Sequence, residues 1–323
     1  MELRPLGRTG LQVSRIAFGA GPIPAVMTSG SSADRVAVLR RAVDAGVNWI
    51  DTAAGYGAGQ SEASIGETLA ELGATDVVQV ATKFRLSEAD FENVEAAIRK
   101  SLSESLTRLR THRVAVLQLH NAITWQRDLE PSSVSVDDVL GKGGIADALE
   151  RIVADNCVAA VGFTGAGQAS ALREVISSGR FQTIQAPFNL LNPSAGRPMP
   201  ADFRETNYGN LFELCARQQM GVFAIRVFAG GALAGLPPGP HTLQTRYFPL
   251  DLYHRDQVRT ETWRRQLASQ GIDVKEAAVR FAISHPAVTS AIIGLSTPDQ
   301  VDEAVRYAKA SDWTPADWTP AEW

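Results

Sequence analysis

Eight short apolar runs rich in Val and Ile, separated by helical patterns, predict an α/β fold of repeated βα units around a parallel sheet. Eight such units suffice to close the sheet, so the expected architecture is an (α/β)8 barrel of the TIM type. No low-complexity linker divides the 323 residues, and the units run to within a short tail of the end. One domain over 1–323 is the expected organisation, with the N-terminal 1–13 as a cap and 310–323 as a C-terminal tail.

The cap comes first. Leu3 to Val13 alternates around Arg8-Thr9-Gly10 and reads as a β-hairpin that plugs the bottom of the barrel. The strand runs follow as Ser14 to Phe18, Val47 to Asp51, Val77 to Thr82 and Val114 to Leu119, then Val158 to Phe163, Thr183 to Ala186, Gly221 to Ile225 and Ser290 to Ile293. Between them, apolar residues recur at helical spacing over Ala33 to Ala45, Ser61 to Leu72, Phe91 to Leu109, Gly144 to Ala154, Ala169 to Ser178, Asn210 to Gln219, Val274 to Ser284 and Pro298 to Lys309. Gly46 and Gly179 punctuate helix ends, and Thr297-Pro298-Asp299 opens the last helix with a capping hydroxyl and a proline whose missing N–H costs little there. Three segments are too long for tight barrel turns: Asn121 to Lys142, Asn192 to Tyr208 and Phe228 to about Val258. All follow strands, at the rim where barrel sites are built. The tail repeats a short unit containing Trp313, Trp318 and Trp323, read as a last turn or loose end packing indoles on the barrel, or as a lid.

The balance of 31 basic against 35 acidic side chains gives a net charge of −4, with no bulk attraction to nucleic acid or anionic lipid. A hydrophobic content of 45% excludes disorder. No window approaches the roughly 18 apolar residues of a membrane span, and Met-Glu-Leu-Arg-Pro lacks signal-peptide character, so a cytoplasmic location is expected. Cys157 and Cys215 sit in apolar surroundings and read as inert core thiols.

Polar side chains that end barrel strands point into the mouth of the barrel. Asp51 ends the second strand, Tyr56 follows in its loop, Lys83 ends the third and His120 the fourth. Each has an ordinary explanation alone: a cap, a packed ring, a solvated amine, a satisfied core imidazole. Together they suit proton transfer. A phenol near pKa ~10 is a poor acid at neutral pH unless a neighbouring Lys⁺ stabilises its phenolate and a carboxylate holds the Lys. A His on the next strand can orient a carbonyl oxygen beside the phenol. That set serves carbonyl reduction or alcohol oxidation in which a nicotinamide carries the hydride. Only His120 of five histidines ends a strand, and no H-x-H or carboxylate cluster accompanies it, so no metal is expected.

Asp51, Tyr56, Lys83 and His120, in Asp-Thr-Ala-Ala-Gly-Tyr-Gly, Ala-Thr-Lys-Phe and Leu-Gln-Leu-His, resemble the catalytic tetrad of the aldo-keto reductases. Further matches run nearly the whole chain: Leu6-Gly7-Arg8-Thr9-Gly10-Leu11, Phe18-Gly19, Val161-Gly162-Phe163-Thr164-Gly165, Gln185-Ala186-Pro187-Phe188-Asn189 and Ala291-Ile292-Ile293-Gly294. The resemblance implies a barrel enzyme that binds NADP(H) or NAD(H) along the rim and interconverts a small carbonyl, such as an aldehyde or sugar, and its alcohol. It implies Tyr56 as general acid/base, tuned by Lys83 and Asp51, with His120 orienting the carbonyl. For the cofactor it implies Thr164 and Gln185 holding the nicotinamide carboxamide, with Gly19, Asp51 and Gly165 also among the cofactor contacts. Arg226 to Leu233, including Phe228 and Gly230, would wrap the pyrophosphate. Gly294, Ser296, Gln300, Glu303 and Ala304 would meet the adenosine half. Gly19-Ala20-Gly21 is no Rossmann fingerprint, since it lacks the third glycine and the ribose-binding acid.

The chain also departs from that pattern. Thr164-Gly165 stands where Ser-Asn is common, and Ile225-Arg226-Val227-Phe228 replaces Tyr-Ser-Pro-Leu. Arg226 reads as a pyrophosphate contact or as a grip on an anionic substrate. Gly294-Leu295-Ser296-Thr297 has no cation for a 2′-phosphate, so the choice of dinucleotide stays open. The long loops offer Trp125, Arg127, Asp128, Arg197, Arg204, Arg246, Tyr247 and His254, from which Trp125 and Tyr247, with Arg226, are the substrate candidates. The alternative function is a cofactor-binding regulatory subunit of the same fold whose turnover is incidental. Neither the substrate nor the oligomeric state is legible.

Overall fold

The computed structural model describes residues 1–244 and 250–309. The tail from 310 and the segment holding Arg246 and Tyr247 lie outside the described residues. In chain order the strands are β1 (Leu3–Pro5), β2 (Gln12–Ser14), β3 (Ile16–Gly19), β4 (Trp49–Asp51), β5 (Gln79–Phe84), β6 (Val114–Leu119), β7 (Ile123–Thr124), β8 (Val134–Ser135), β9 (Val158–Thr164), β10 (Thr183–Pro187), β11 (Gly221–Ile225) and β12 (Val288–Gly294). The α-helices are α1 (Val26–Ser29), α2 (Ser32–Asp44), α3 (Gln60–Leu72), α4 (Val94–Leu109), α5 (Val136–Leu140), α6 (Ile145–Ala154), α7 (Ala169–Ser177), α8 (Leu211–Arg217), α9 (Pro240–Gln244), α10 (Leu250–Ala268), α11 (Val274–Ser284) and α12 (Pro298–Lys309).

β3, β4, β5, β6, β9, β10, β11 and β12 pair in that order, all parallel, and β12 closes the barrel on β3. Each of the eight expected runs contributes a barrel strand. Ala17, Trp49, Ala81, Val116, Ala160 and Phe223 form a small buried cluster with Leu6 and Val13 of the cap. This is the lower layer of the barrel interior, with the Trp49 and Phe223 rings 5.1 Å apart. β1 and β2 form the expected antiparallel hairpin. The Arg8 guanidinium in its turn donates to the carbonyls of Gly179 (2.6 Å), Phe181 (3.0 Å) and Gln218, clamping the plug to neighbouring units.

The helices cover the outside through apolar faces. α6 buries Ile145, Ala146, Ala148, Leu149 and Ile152, the stripe a helix period requires. The Thr297 hydroxyl caps α12 by accepting from the Gln300 amide at 3.3 Å. The stretch read as one helix from Phe91 begins with a 3-10 turn (Glu88–Glu92), and Asn93 at φ −154° separates it from α4, where its side chain accepts from Ala96 as the N-cap.

The segment from Phe228 to Val258 is not the loop its sequence suggests. It holds a 3-10 turn (Ala229–Ala234), α9 and the start of the 19-residue α10. α10 buries Tyr253, Asp256, Thr260, Trp263 and Leu267, a regular helical spacing hidden in the sequence because two of the five are polar. Arg255 and Arg259 on this helix reach Glu205 at 2.6 and 3.1 Å, tying it to the irregular segment 192–208. Asn121 to Lys142 likewise contains the small β7–β8 pair and α5. No helix among the described residues is long and apolar enough to cross a membrane. Both cysteines are free thiols, and burial pushes Cys215 up to about 12.

Candidate active site

Side chains alternate along a strand, so residues two beyond the lower layer also face the barrel interior, one layer higher. From Trp49, Ala81 and Val116 that step reaches Asp51, Lys83 and Gln118, and on β10 Gln185 occupies the same level. All four are buried. The apolar layer below gives way to a compact polar layer just under the C-terminal rim.

Lys83 Nζ donates to Asp51 Oδ2 at 2.6 Å, to the Thr52 carbonyl at 2.8 Å and to the Tyr56 hydroxyl at 3.4 Å. The other carboxylate oxygen of Asp51 accepts from the Gln185 amide, and from the Gln118 amide at 3.4 Å. Tyr56 sits on a loop anchored from beneath. The Ala54 amide donates to the Lys83 carbonyl, the Ser61 hydroxyl to the Ala20 carbonyl at 2.8 Å, and the Ser61 amide to the Tyr56 carbonyl. The His120 amide donates to the Phe84 carbonyl at 2.9 Å, which sets the imidazole edge-on to Tyr56, with ring centroids 5.7 Å apart at 84°. The four residues of the tetrad are thus brought together on three consecutive strand ends.

Burial opposes the charge of Lys83, yet Asp51 and Tyr56 outweigh it and hold the amine above its ordinary value. Burial, reinforced by the positive Lys83 and Arg85, holds His120 well below the usual imidazole range. Near neutral pH the layer therefore presents an ammonium beneath a phenol and a neutral imidazole beside it. That arrangement can give a proton to an oxygen bound above Tyr56 and stabilise the phenolate left behind.

From Tyr56 a groove of about 650 Å³ runs over the ends of β11, β12 and β3 to Tyr307 on α12. Gly19, Asp51, Gln185, Arg226, Phe228 and Gly230 line it near the tetrad and along its middle, and Gly294, Ser296, Gln300 and Glu303 line the far end. Thr164, Gly165 and Leu233 do not. The Gly165 amide donates to the Gln185 carbonyl at 2.7 Å, and Leu233 lies wholly in the core. Trp125 stands half exposed, its indole N–H on the Ser170 hydroxyl at 2.8 Å, and does not line the groove either.

The residues along the groove wall fit an extended dinucleotide. The Thr164 hydroxyl, buried at the top of β9 outside the groove, is not among them. The backbone at Arg226, Ala229, Gly230 and Gly231 takes positive φ of 58°, 49°, 71° and 113°. The Ala229 and Gly231 amides close these turns onto the Arg226 and Phe228 carbonyls, and the turns set Gly230 and Arg226 along the groove wall where an anion would lie. Burial lowers the Arg226 guanidinium below its ordinary value, with Tyr208 and Asp256 opposing the shift.

Gln118 and Lys275 are among the residues at this site that the sequence did not single out. Gln118 was visible by parity: it shares the inward phase of Val116 and lies two residues before His120. Lys275 lines the far end of the groove from the first turn of α11, where its amine meets Glu303 Oε2 at 2.8 Å. In a barrel, helix N-termini share the rim with strand C-termini, so a cation just after the Asp273 cap was a legible candidate.

The chain matches the model of the Aldo/keto reductase family over residues 15–319. It is 25% identical to L-galactose dehydrogenase from Arabidopsis thaliana over 318 residues, covering 94% of this chain and 87% of that protein. It is 26% identical to D-threo-aldose 1-dehydrogenase from a Pseudomonas species, covering 93% and 90%. Among solved structures it superposes on the holo form of an aldo-keto reductase from Bacillus halodurans with a TM-score of 0.72 at 20% identity, covering 98% of this chain and 94% of that one.

Proposed function

The chain belongs to the aldo/keto reductase family, and on that premise we propose that Tyr56 is the proton donor and acceptor of its reaction. The enzyme is an NAD(P)(H)-dependent oxidoreductase that interconverts a small carbonyl and its alcohol. The observation that carries the assignment is Lys83 Nζ, which bridges Asp51 (2.6 Å) and the Tyr56 hydroxyl (3.4 Å) at the end of the groove.

The nicotinamide, when bound, supplies or accepts the hydride. The protein does the rest. In reduction, the neutral His120 and the Tyr56 hydroxyl hold the carbonyl oxygen, Tyr56 gives up its proton, and Lys83 stabilises the phenolate. In oxidation the same groups run in reverse. Asp51 keeps Lys83 charged and in place, and the amides of Gln118 and Gln185 keep Asp51 oriented. Gln185 would hold the carboxamide, the 226–231 turns the pyrophosphate, and Ser296, Gln300 and Glu303 the adenosine half. Gln185 spends its amide on Asp51 here, so holding the carboxamide shifts support of that carboxylate toward Gln118.

The relatives named for galactose and for an aldose support a sugar-type substrate, and Arg226 in the groove wall suits a polar one. The test is absorbance at the reduced-nicotinamide band with a panel of aldoses and small aldehydes, for the parent and for Lys83→Met. Saturable turnover by the parent, lost in the variant, is expected. Equal, unsaturable rates for both would favour a cofactor-binding regulatory subunit.

A further inference from the structure

The loop after β12 carries no cation, yet the far end of the groove has one, Lys275, delivered from α11 and already paired with Glu303 of α12 at 2.8 Å. Both side chains are partly exposed, 32% and 38%, and both line the groove, so a ligand can reach either. The Ser296 hydroxyl and amide both donate to Gln300 Oε1 at 2.9 and 2.8 Å, which removes the obvious neutral donors from service. Asp273 and Tyr307 also act on Lys275, and Arg306 is stacked on Tyr307 with its guanidinium carbon 5.1 Å from the ring centroid.

A 2′-phosphate brings nearly two negative charges and needs charge-assisted donors. Here its natural donor is neutralised by Glu303, which would itself repel the phosphate. A ribose 2′-hydroxyl has no such conflict, since it can donate to the Glu303 carboxylate while Lys275 stays where it is.

Resting on the reading that the adenosine half of the dinucleotide lies at this end, we propose that the Lys275–Glu303 pair is the cofactor selector: it makes the enzyme prefer NAD(H) by turning Lys275 away from a 2′-phosphate. Removal of the Glu303 charge frees Lys275 to serve that phosphate. The pair is partly solvated and contributes little to folding, so variants at either position remain folded.

The test is direct binding, by fluorescence titration of NADH and of NADPH, to the parent, Glu303→Gln and the double variant Glu303→Gln/Lys275→Gln. The parent is expected to bind NADH more tightly. Glu303→Gln should move the NADPH-to-NADH ratio of Kd values toward NADPH by about tenfold, the value of one charge-assisted hydrogen bond, and the double variant should lose that gain. A parent that prefers NADPH, or a ratio unchanged in Glu303→Gln while both dinucleotides bind, overturns the selector alone. No saturable binding of either dinucleotide to the parent overturns the cofactor reading beneath it.

Discussion

Lys83 and Asp51 form an ion pair of 2.6 Å with only 1% and 5% of their side chains exposed. A buried pair of this kind is costly to break from one side, because the remaining charge has no water to solvate it. Asp51→Asn keeps the shape but strands the ammonium on the Thr52 carbonyl and the Tyr56 hydroxyl. It is expected to lose about 3 kcal/mol of stability in urea denaturation. Lys83→Met should cost less, since Asp51 keeps the amides of Gln118 and Gln185. The reverse order would mean that those amides do not support the carboxylate.

His120 carries a pH signature. Burial, with Lys83 and Arg85, depresses its folded-state pKa well below the ordinary 6.5. Above about 6.5 the imidazole is neutral whether folded or unfolded, and its contribution is fully present. As pH falls below that value the unfolded chain takes up a proton the folded one refuses, so stability is lost until the folded pKa is reached. His120→Gln should flatten the decline of stability below pH ~6.5 relative to the parent, leaving the share of His285, whose pKa burial also lowers. Parallel curves for parent and variant would show that His120 titrates freely.

Gly231 lies in the proposed pyrophosphate turns at φ 113°, and a Cβ there would stand 2.9 Å from the Tyr253 hydroxyl. Gly231→Ala is expected to cost about 1–3 kcal/mol by thermal denaturation and to weaken dinucleotide binding. Gly239→Ala, where a Cβ meets nothing within 4 Å, should change stability by less than about 0.5 kcal/mol. Equal effects at the two positions would remove the special backbone from the account.

Ser296→Arg places a guanidinium at the cation-free loop after β12. The ratio of kcat/KM values should move toward NADP(H) by about 1–2 kcal/mol if the new side chain reaches the 2′-phosphate. No change in that ratio would place the 2′ position away from Ser296.

Much of this was legible because a barrel writes its core as repeated short strands and its chemistry at their ends. Asp51, Lys83 and His120 declare themselves by ending Val- and Ile-rich runs, and Tyr56 by the loop between two of them. α10 was hidden because its buried face includes Asp256 and Thr260, which find their partners within the helix itself, the Thr260 hydroxyl on the Asp256 carbonyl and Arg259 on the Asp256 carboxylate, and so mask the apolar period. Lys275 was hidden for another reason. A half-exposed lysine in a helix looks like any solvated lysine until the fold brings its first turn against Glu303, 28 positions later. Strand-end chemistry is local in sequence, whereas the far end of the groove is assembled from two helices.

In the proposed reaction Tyr56 moves the proton while the rest of the site binds the dinucleotide. Tyr56→Phe separates the two roles when the rate on the best substrate is compared with the Kd for reduced cofactor by fluorescence titration. Loss of roughly 10²–10⁴-fold in rate is expected, with cofactor affinity close to that of the parent. Near-normal turnover in Tyr56→Phe would contradict the account.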